Sequence, residues 1–178
     1  MKKILFILSI IFLCGCTTLN YNYYNVKLVD IKSPYETLYK DSLSFEDSTI
    51  NIKWKPYVIT NGFNFCLTNK LNIPLKIIWD DVSVSNENNY YEKCFHNGIK
   101  FSDNSYFQPN SNIIPLSKIE DGIFLSNYYH FSSNKYNSGW YSDNIFSSES
   151  IGKYYKILLP LNVNDNIQNY IFTFKIEK

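Results

Sequence analysis

Between Tyr155 and Ile176 the apolar side chains recur at every second residue, through Tyr155, Ile157, Leu159 and Leu161 and then, beyond Asn164-Asp165-Asn166, through Tyr170, Phe172, Phe174 and Ile176. A period of two puts them on one face of two extended strands, where a helix would scatter them around its circumference. The Asn/Asp cluster between the runs is turn chemistry, so the segment reads as a hairpin. Composition agrees, because the chain has no Ala, the best helix former, and is rich in Ile, Tyr, Phe and Asn.

The same pattern recurs upstream. Ile50, Ile52 and Trp54 alternate with polar residues after a plausible turn at Asp47-Ser48, and Phe63, Phe65 and Leu67 share one face after Asn61-Gly62. Ile73, Leu75, Ile77 and Trp79 share another face, but Val82 and Val84 fall out of phase. One extra residue at Asp80-Asp81, a β-bulge, would restore them. Asn86 to Asn89 leads into a strand from Tyr90 to His96, and Asn97-Gly98 predicts a tight hairpin into Ile99-Lys100-Phe101. Pro109 and Pro115 bracket Ile113-Ile114 and restrict that stretch to a sheet edge. Seven or eight short strands with turn signals between them predict an all-β fold, an antiparallel β-sandwich of immunoglobulin-like arrangement, with a small β-barrel as the alternative.

The N-terminus has a different logic. Lys2 and Lys3 precede an apolar run from Ile4 to Leu13 interrupted only by Ser9. As a helix this run rises roughly 15 Å, half of a ~30 Å hydrocarbon core, which suits a secretory leader and not a permanent span. It ends in Leu13-Cys14-Gly15-Cys16, which resembles the lipobox of bacterial lipoproteins, with Cys14 where Ala or Ser is usual. The resemblance implies cleavage before Cys16, lipidation of its thiol, and attachment to a cell membrane or outer membrane, the latter favoured in a host that has one because Thr17 is not the Asp associated with inner-membrane retention. The expected organisation is a signal peptide at 1–15, a lipidated tether at 16–25 and one sandwich domain at 26–178. The stretch from Trp54 to Phe101 is similar to a pattern of small envelope lipoproteins with such a sandwich, a likeness that carries no activity with it.

Loss of Lys2 and Lys3 with the leader takes the formal charge from +1 to −1, and the chain has no Arg. Neither the basic footprint of a nucleic-acid partner nor the fork that grips phosphate bidentately is present. Cys66 and Cys94 are the thiols of the mature domain besides Cys16; in an exported protein an even pair reads as a disulfide, the alternative being two buried free thiols. His96 and His130 stand 34 residues apart without a second ligand at metal spacing, so neither metal nor cofactor is expected. Asp80-Asp81 and Glu120-Asp121 are adjacent carboxylates, but strand neighbours point to opposite faces, so they read as solvated turn or bulge residues. No nucleophile elbow, zinc-protease helix, phosphate loop or calcium loop occurs, and no catalytic residue is assigned.

The segment from Asn127 to Ser150 lacks a sustained strand pattern and carries Tyr128, Tyr129, His130, Phe131, Tyr136, Trp140 and Tyr141 among Ser, Asn and Gly. Rigid rings mixed with adaptable polar groups suit a binding loop, with Tyr129, Trp140 and Tyr141 as anchors. A loop packed over a sheet face is the competing expectation. The function this implies is a non-enzymatic, membrane-anchored binding or structural module of the envelope, its partner an envelope protein or a glycan. An envelope hydrolase or hydrolase inhibitor is the alternative.

Overall fold

A computed structural model describes residues 24–57, 62–86, 88–103, 107–133 and 138–178. Residues 1–23, on which the expected leader, the lipidation site Cys16 and most of the expected tether fall, lie outside them. Fourteen strands run through the described residues: β1 (Asn25–Lys32), β2 (Tyr39–Lys40), β3 (Ser44–Glu46), β4 (Ile50–Tyr57), β5 (Gly62–Asn69), β6 (Leu75–Ile77), β7 (Ser83–Ser85), β8 (Tyr91–His96), β9 (Ser111–Ile113), β10 (Lys118–Leu125), β11 (Tyr129–Ser133), β12 (Ser138–Ser142), β13 (Tyr154–Val163) and β14 (Asn166–Glu177). Between them stand four single 3₁₀ turns and, among the described residues, no α-helix.

Twelve strands form one antiparallel sheet in the order β1-β14-β13-β7-β8-β10-β5-β4-β3-β2, with β6 and β9 attached beside β13. The sheet curls until its two halves face each other as the layers of a sandwich. Trp54 of β4 meets Phe172 and Phe174 of β14 at ring separations of 5.0 and 5.1 Å, and Phe63 of β5 meets Phe174 at 5.4 Å. The ends of the curl touch where the Leu28 N–H of β1 donates to Ser42 O at 2.7 Å. The predicted antiparallel sandwich is thus built with the continuity of a partly closed barrel.

The alternating residues are those that make the core. Ile50, Ile52, Trp54, Phe63, Leu67, Tyr155, Ile157, Leu159, Leu161, Tyr170, Phe172, Phe174 and Ile176 have no exposed surface. The closing hairpin turns on Asn164 and Asp165, both at positive φ (49° and 61°) between the paired Val163 and Asn166. That is the type I′ geometry that Asn and Asp tolerate best.

Two local expectations are corrected. Val82 and Val84 return to phase through a 3₁₀ turn at Trp79–Asp81 and not through a one-residue bulge. β6 and β7 both pair with β13, and the register moves by three residues between Ile77↔Leu161 and Val84↔Ile157. An odd insertion of either length flips the faces equally, so the sequence pattern could not tell them apart. Asn97-Gly98 does turn, with Gly98 at φ +89° and Ile99 N bonded to His96 O, but no strand follows. The edge of β8 that such a strand would occupy is taken by β10.

A buried carboxylate staples the two layers at the end away from Asn25. Asp47 has no exposed surface; its Oδ1 accepts the N–H groups of Thr49 and Ile50 at 2.7 and 2.9 Å. Its Oδ2 accepts the hydroxyls of Ser33 and Tyr170, each at 2.9 Å. Burial, with the Asp47 charge beside it, holds the Tyr170 phenol well above its ordinary pKa.

Candidate functional site

On the outer surface of β5, β10 and β8 the chain builds an aromatic platform. Gly62 and Gly122 leave room for the Phe124 ring to lie flat on the sheet; a Cβ at Gly62 would come within 2.6 Å of it. Phe95, paired with Phe124 across β8 and β10, stacks on it at 5.4 Å and 26°. Tyr129 stands edge-on to both, at 5.1 Å from Phe95 and 6.2 Å from Phe124. With His96, Asn97, Gly98 and Ile99 these rings enclose a cleft of about 140 Å³. Pockets for drug-sized ligands start near ~300 Å³, so this one accepts a single ring or side chain. Burial raises the Tyr129 phenol pKa above its ordinary value.

From Tyr129 the chain leaves the platform as a two-stranded ribbon. The segment expected to lack strands is a hairpin, β11 paired with β12 from Tyr129↔Ser142 to Ser133↔Ser138. Phe131 and Trp140 face each other at 5.7 Å and 64°, and His130 and Tyr141 at 6.3 Å and 25°. Because the ribbon carries rings on both faces, it shows no apolar/polar alternation, and that is why the sequence pattern missed it. Tyr129 covers the outer-face ring of Phe95, but beyond it the ribbon leaves Phe131, Trp140 and Tyr141 57%, 40% and 45% exposed. Of the three anticipated anchors, Tyr129 joins the platform to the ribbon, while Trp140 and Tyr141 lie on opposite faces of it. They do not form one flat surface.

The second notable cluster is buried. Asp121, expected to be solvated, is 7% exposed and its Oδ1 accepts the N–H groups of Asn97 and Gly122 at 3.0 and 2.7 Å. Its Oδ2 lies 3.2 Å from His96 Nδ1, and Trp79 stacks on that imidazole at 4.1 Å and 5°. An ionised carboxylate can only accept, so Oδ2 favours the tautomer with the proton on Nδ1, which leaves Nε2 as an acceptor. Nε2 is buried and has no hydrogen-bond partner among the described residues. Asp80 likewise takes a structural bond, from the Gln108 N–H at 3.0 Å, while Gln108 itself ties His96 N and Cys94 O together. These contacts span 12 to 28 residues of sequence and leave no periodic signal by which they could have been read.

The expected disulfide is not formed: Cys66 and Cys94 are both free. β10 lies between their strands, with Cys66 opposite Glu120 and Cys94 opposite Leu125, five residues apart along it. Cys66 points outward with Asn64 and Thr68, whereas Cys94 is buried in the core. That separation far exceeds the ~7 Å Cα limit for a bridge. Burial pushes the Cys94 thiol up to about 12, which makes it inert. No group of three or more His, Cys, Asp or Glu side chains able to hold a metal occurs among the described residues.

Fold and site together define a curled antiparallel sandwich bearing a projecting aromatic ribbon. Comparison with family models, with curated proteins and with solved structures finds no match for this chain.

Proposed function

We propose that the protein is a lipid-anchored, non-enzymatic binding module of the bacterial envelope, held through Cys16 and engaging its partner with the β11–β12 ribbon. The observation that carries this reading is the exposure of Phe131, Trp140 and Tyr141 on an element outside the hydrophobic core. Large rings left in water are a cost unless a partner covers them, and two rotatable angles make them cheap to order on contact. A glycan partner is less favoured, because stacking on sugar faces wants coplanar rings and the Phe131–Trp140 pair meets at 64°. The closure of His96 Nε2 from solvent supports the non-enzymatic reading, since a general base must reach the proton it removes.

The test has two arms. Cys16→Ser in the full chain should abolish metabolic palmitate labelling and release the protein from membranes; retained labelling removes the anchor. Trp140→Ala, made in the unanchored Cys16→Ser chain, should leave the melting temperature almost unchanged while reducing the residual binding of that chain to intact envelope membranes. A large fall in stability would return Trp140 to a structural role.

A further inference from the structure

Strand registers place the ribbon at the same end of the sandwich as the tether. Asn25, at the start of β1, pairs with Glu177, and Tyr154, at the start of β13, pairs with Lys175. Ser85 pairs with Lys156 on one side and Tyr91 on the other, so the β7–β8 tip points the same way. Leu125 pairs with Cys94, which sends the chain after β10, and with it the ribbon, to that end too. This end exposes Tyr90, Tyr91, Phe131, Trp140, Tyr141 and Tyr154, from 40% for Trp140 to 70% for Tyr90. The opposite end exposes two tyrosines, Tyr35 and Tyr39, beside the aliphatic Leu38, Ile114, Leu116 and Ile167, and holds no exposed Trp; Ile151 is the exposed aliphatic residue of the ribbon end.

We infer that the occupant of the aromatic end is the headgroup layer of the lipid bilayer that anchors the protein; this rests on the reading of Cys16 as the lipidated residue. Cys16 stands eight residues before Tyr24, so even a fully extended tether spans only about 29 Å, shorter than the roughly 40 Å length of the 12-residue β14 that it would have to swing past. The end that meets the membrane is therefore the one where β1 begins. Trp and Tyr are the side chains that favour the membrane interface, an apolar ring with one polar tip, and they crowd this end. Aliphatic Leu and Ile lack that tip. The charges of this end are mixed in sign, Lys27 and Lys175 sharing Glu177 and Lys153, Lys156 and Lys178 standing among Glu92, Asp143 and Glu149, so the rings and not a basic patch distinguish it. Docking through rings, and not through basic residues, predicts contact with zwitterionic lipid that salt does not weaken.

Tryptophan placement provides the assay. Trp54 and Trp79 are sealed in the core at 0% and 2% exposure, so among the three indoles only Trp140 can meet a short-range quencher in the membrane. The full chain, processed by its host and reconstituted in phosphatidylcholine vesicles, is compared in brominated and ordinary lipid, with the N-terminal peptide weighed by mass spectrometry. The expected result is quenching in brominated lipid at low and high salt, absent from Trp140→Phe and unchanged in Leu116→Gly at the far end. Equal emission in both lipids overturns the inference. An acylated Cys16 with unquenched Trp140 keeps the anchor and removes the docking surface, whereas an unmodified Cys16 with quenched Trp140 keeps the surface and removes the anchor. Unquenched Trp140 in a particle of doubled mass, reduced to single mass by Trp140→Ala, would assign the face to a second copy and overturn the lipid reading.

Discussion

Replacing Asp47 by Ala tests the staple between the two layers. The change removes the acceptor for the N–H groups of Thr49 and Ile50 and for the Tyr170 hydroxyl, all inside the protein, and for the part-buried Ser33 hydroxyl, which water can re-solvate. A buried donor left without a partner costs about 1–3 kcal/mol, and three neighbouring losses add incompletely, so the expected cost is about 4 kcal/mol. At ~2–4 °C per kcal/mol for a domain of this size the melting temperature should fall by about 8–16 °C. Asp47→Asn keeps one acceptor oxygen and lets the two hydroxyls rotate to accept from its amide, so it should lose about half as much. Scanning calorimetry of both variants, with Tyr170→Phe and the Asp47→Ala/Tyr170→Phe double variant, completes a cycle whose coupling should be at least about 1 kcal/mol. A fall below about 4 °C for Asp47→Ala, or additive single effects, would refute the reasoning.

Tyr170 supplies an alkaline prediction. Its folded pKa is raised, by burial first and then by the Asp47 charge, so the unfolded chain releases this proton at a lower pH than the folded one. Stability from this group is complete below the ordinary tyrosine pKa near ~10 and falls above it, by up to about 1.4 kcal/mol per pH unit; denaturant midpoints between pH 9 and 11.5 should fall less steeply in Tyr170→Phe. Alkylation of the native protein at pH 8 without reductant should label the half-buried Cys66 and spare Cys94, whose burial pushes its thiol up to about 12; protection of both thiols that reductant reverses would restore the disulfide. Gly122→Ala places a Cβ against the Phe124 ring and the Asn64 amide oxygen. It should cost about 1–3 kcal/mol and alter the near-ultraviolet circular dichroism as the platform shifts, and an unchanged spectrum would argue against the packing described.

What was legible in the sequence was whatever one strand encodes by itself. The alternation of Tyr155, Ile157 and Leu159 against Tyr170, Phe172 and Phe174 determined the closing hairpin, its buried face and the all-β class, because the period of side chains along a strand is a local property. Tertiary structure decided which strands became neighbours, and the corrections at Cys66 and Cys94 and at Asp121 follow from that. The expected bridge between Cys66 and Cys94 failed because β10 came between their strands. Asp121 looked solvated until that pairing set His96 and Asn97 against it, and Asp47 looked like an ordinary turn residue until the curl of the sheet brought Tyr170 to it across 123 residues. The ribbon from Tyr129 to Ser142 escaped for the opposite reason: both its faces carry exposed rings, so no buried side imposed a pattern on its residues. A hydrophobic period records only that a face is covered; what covers it depends on contacts between distant segments, which no local period contains.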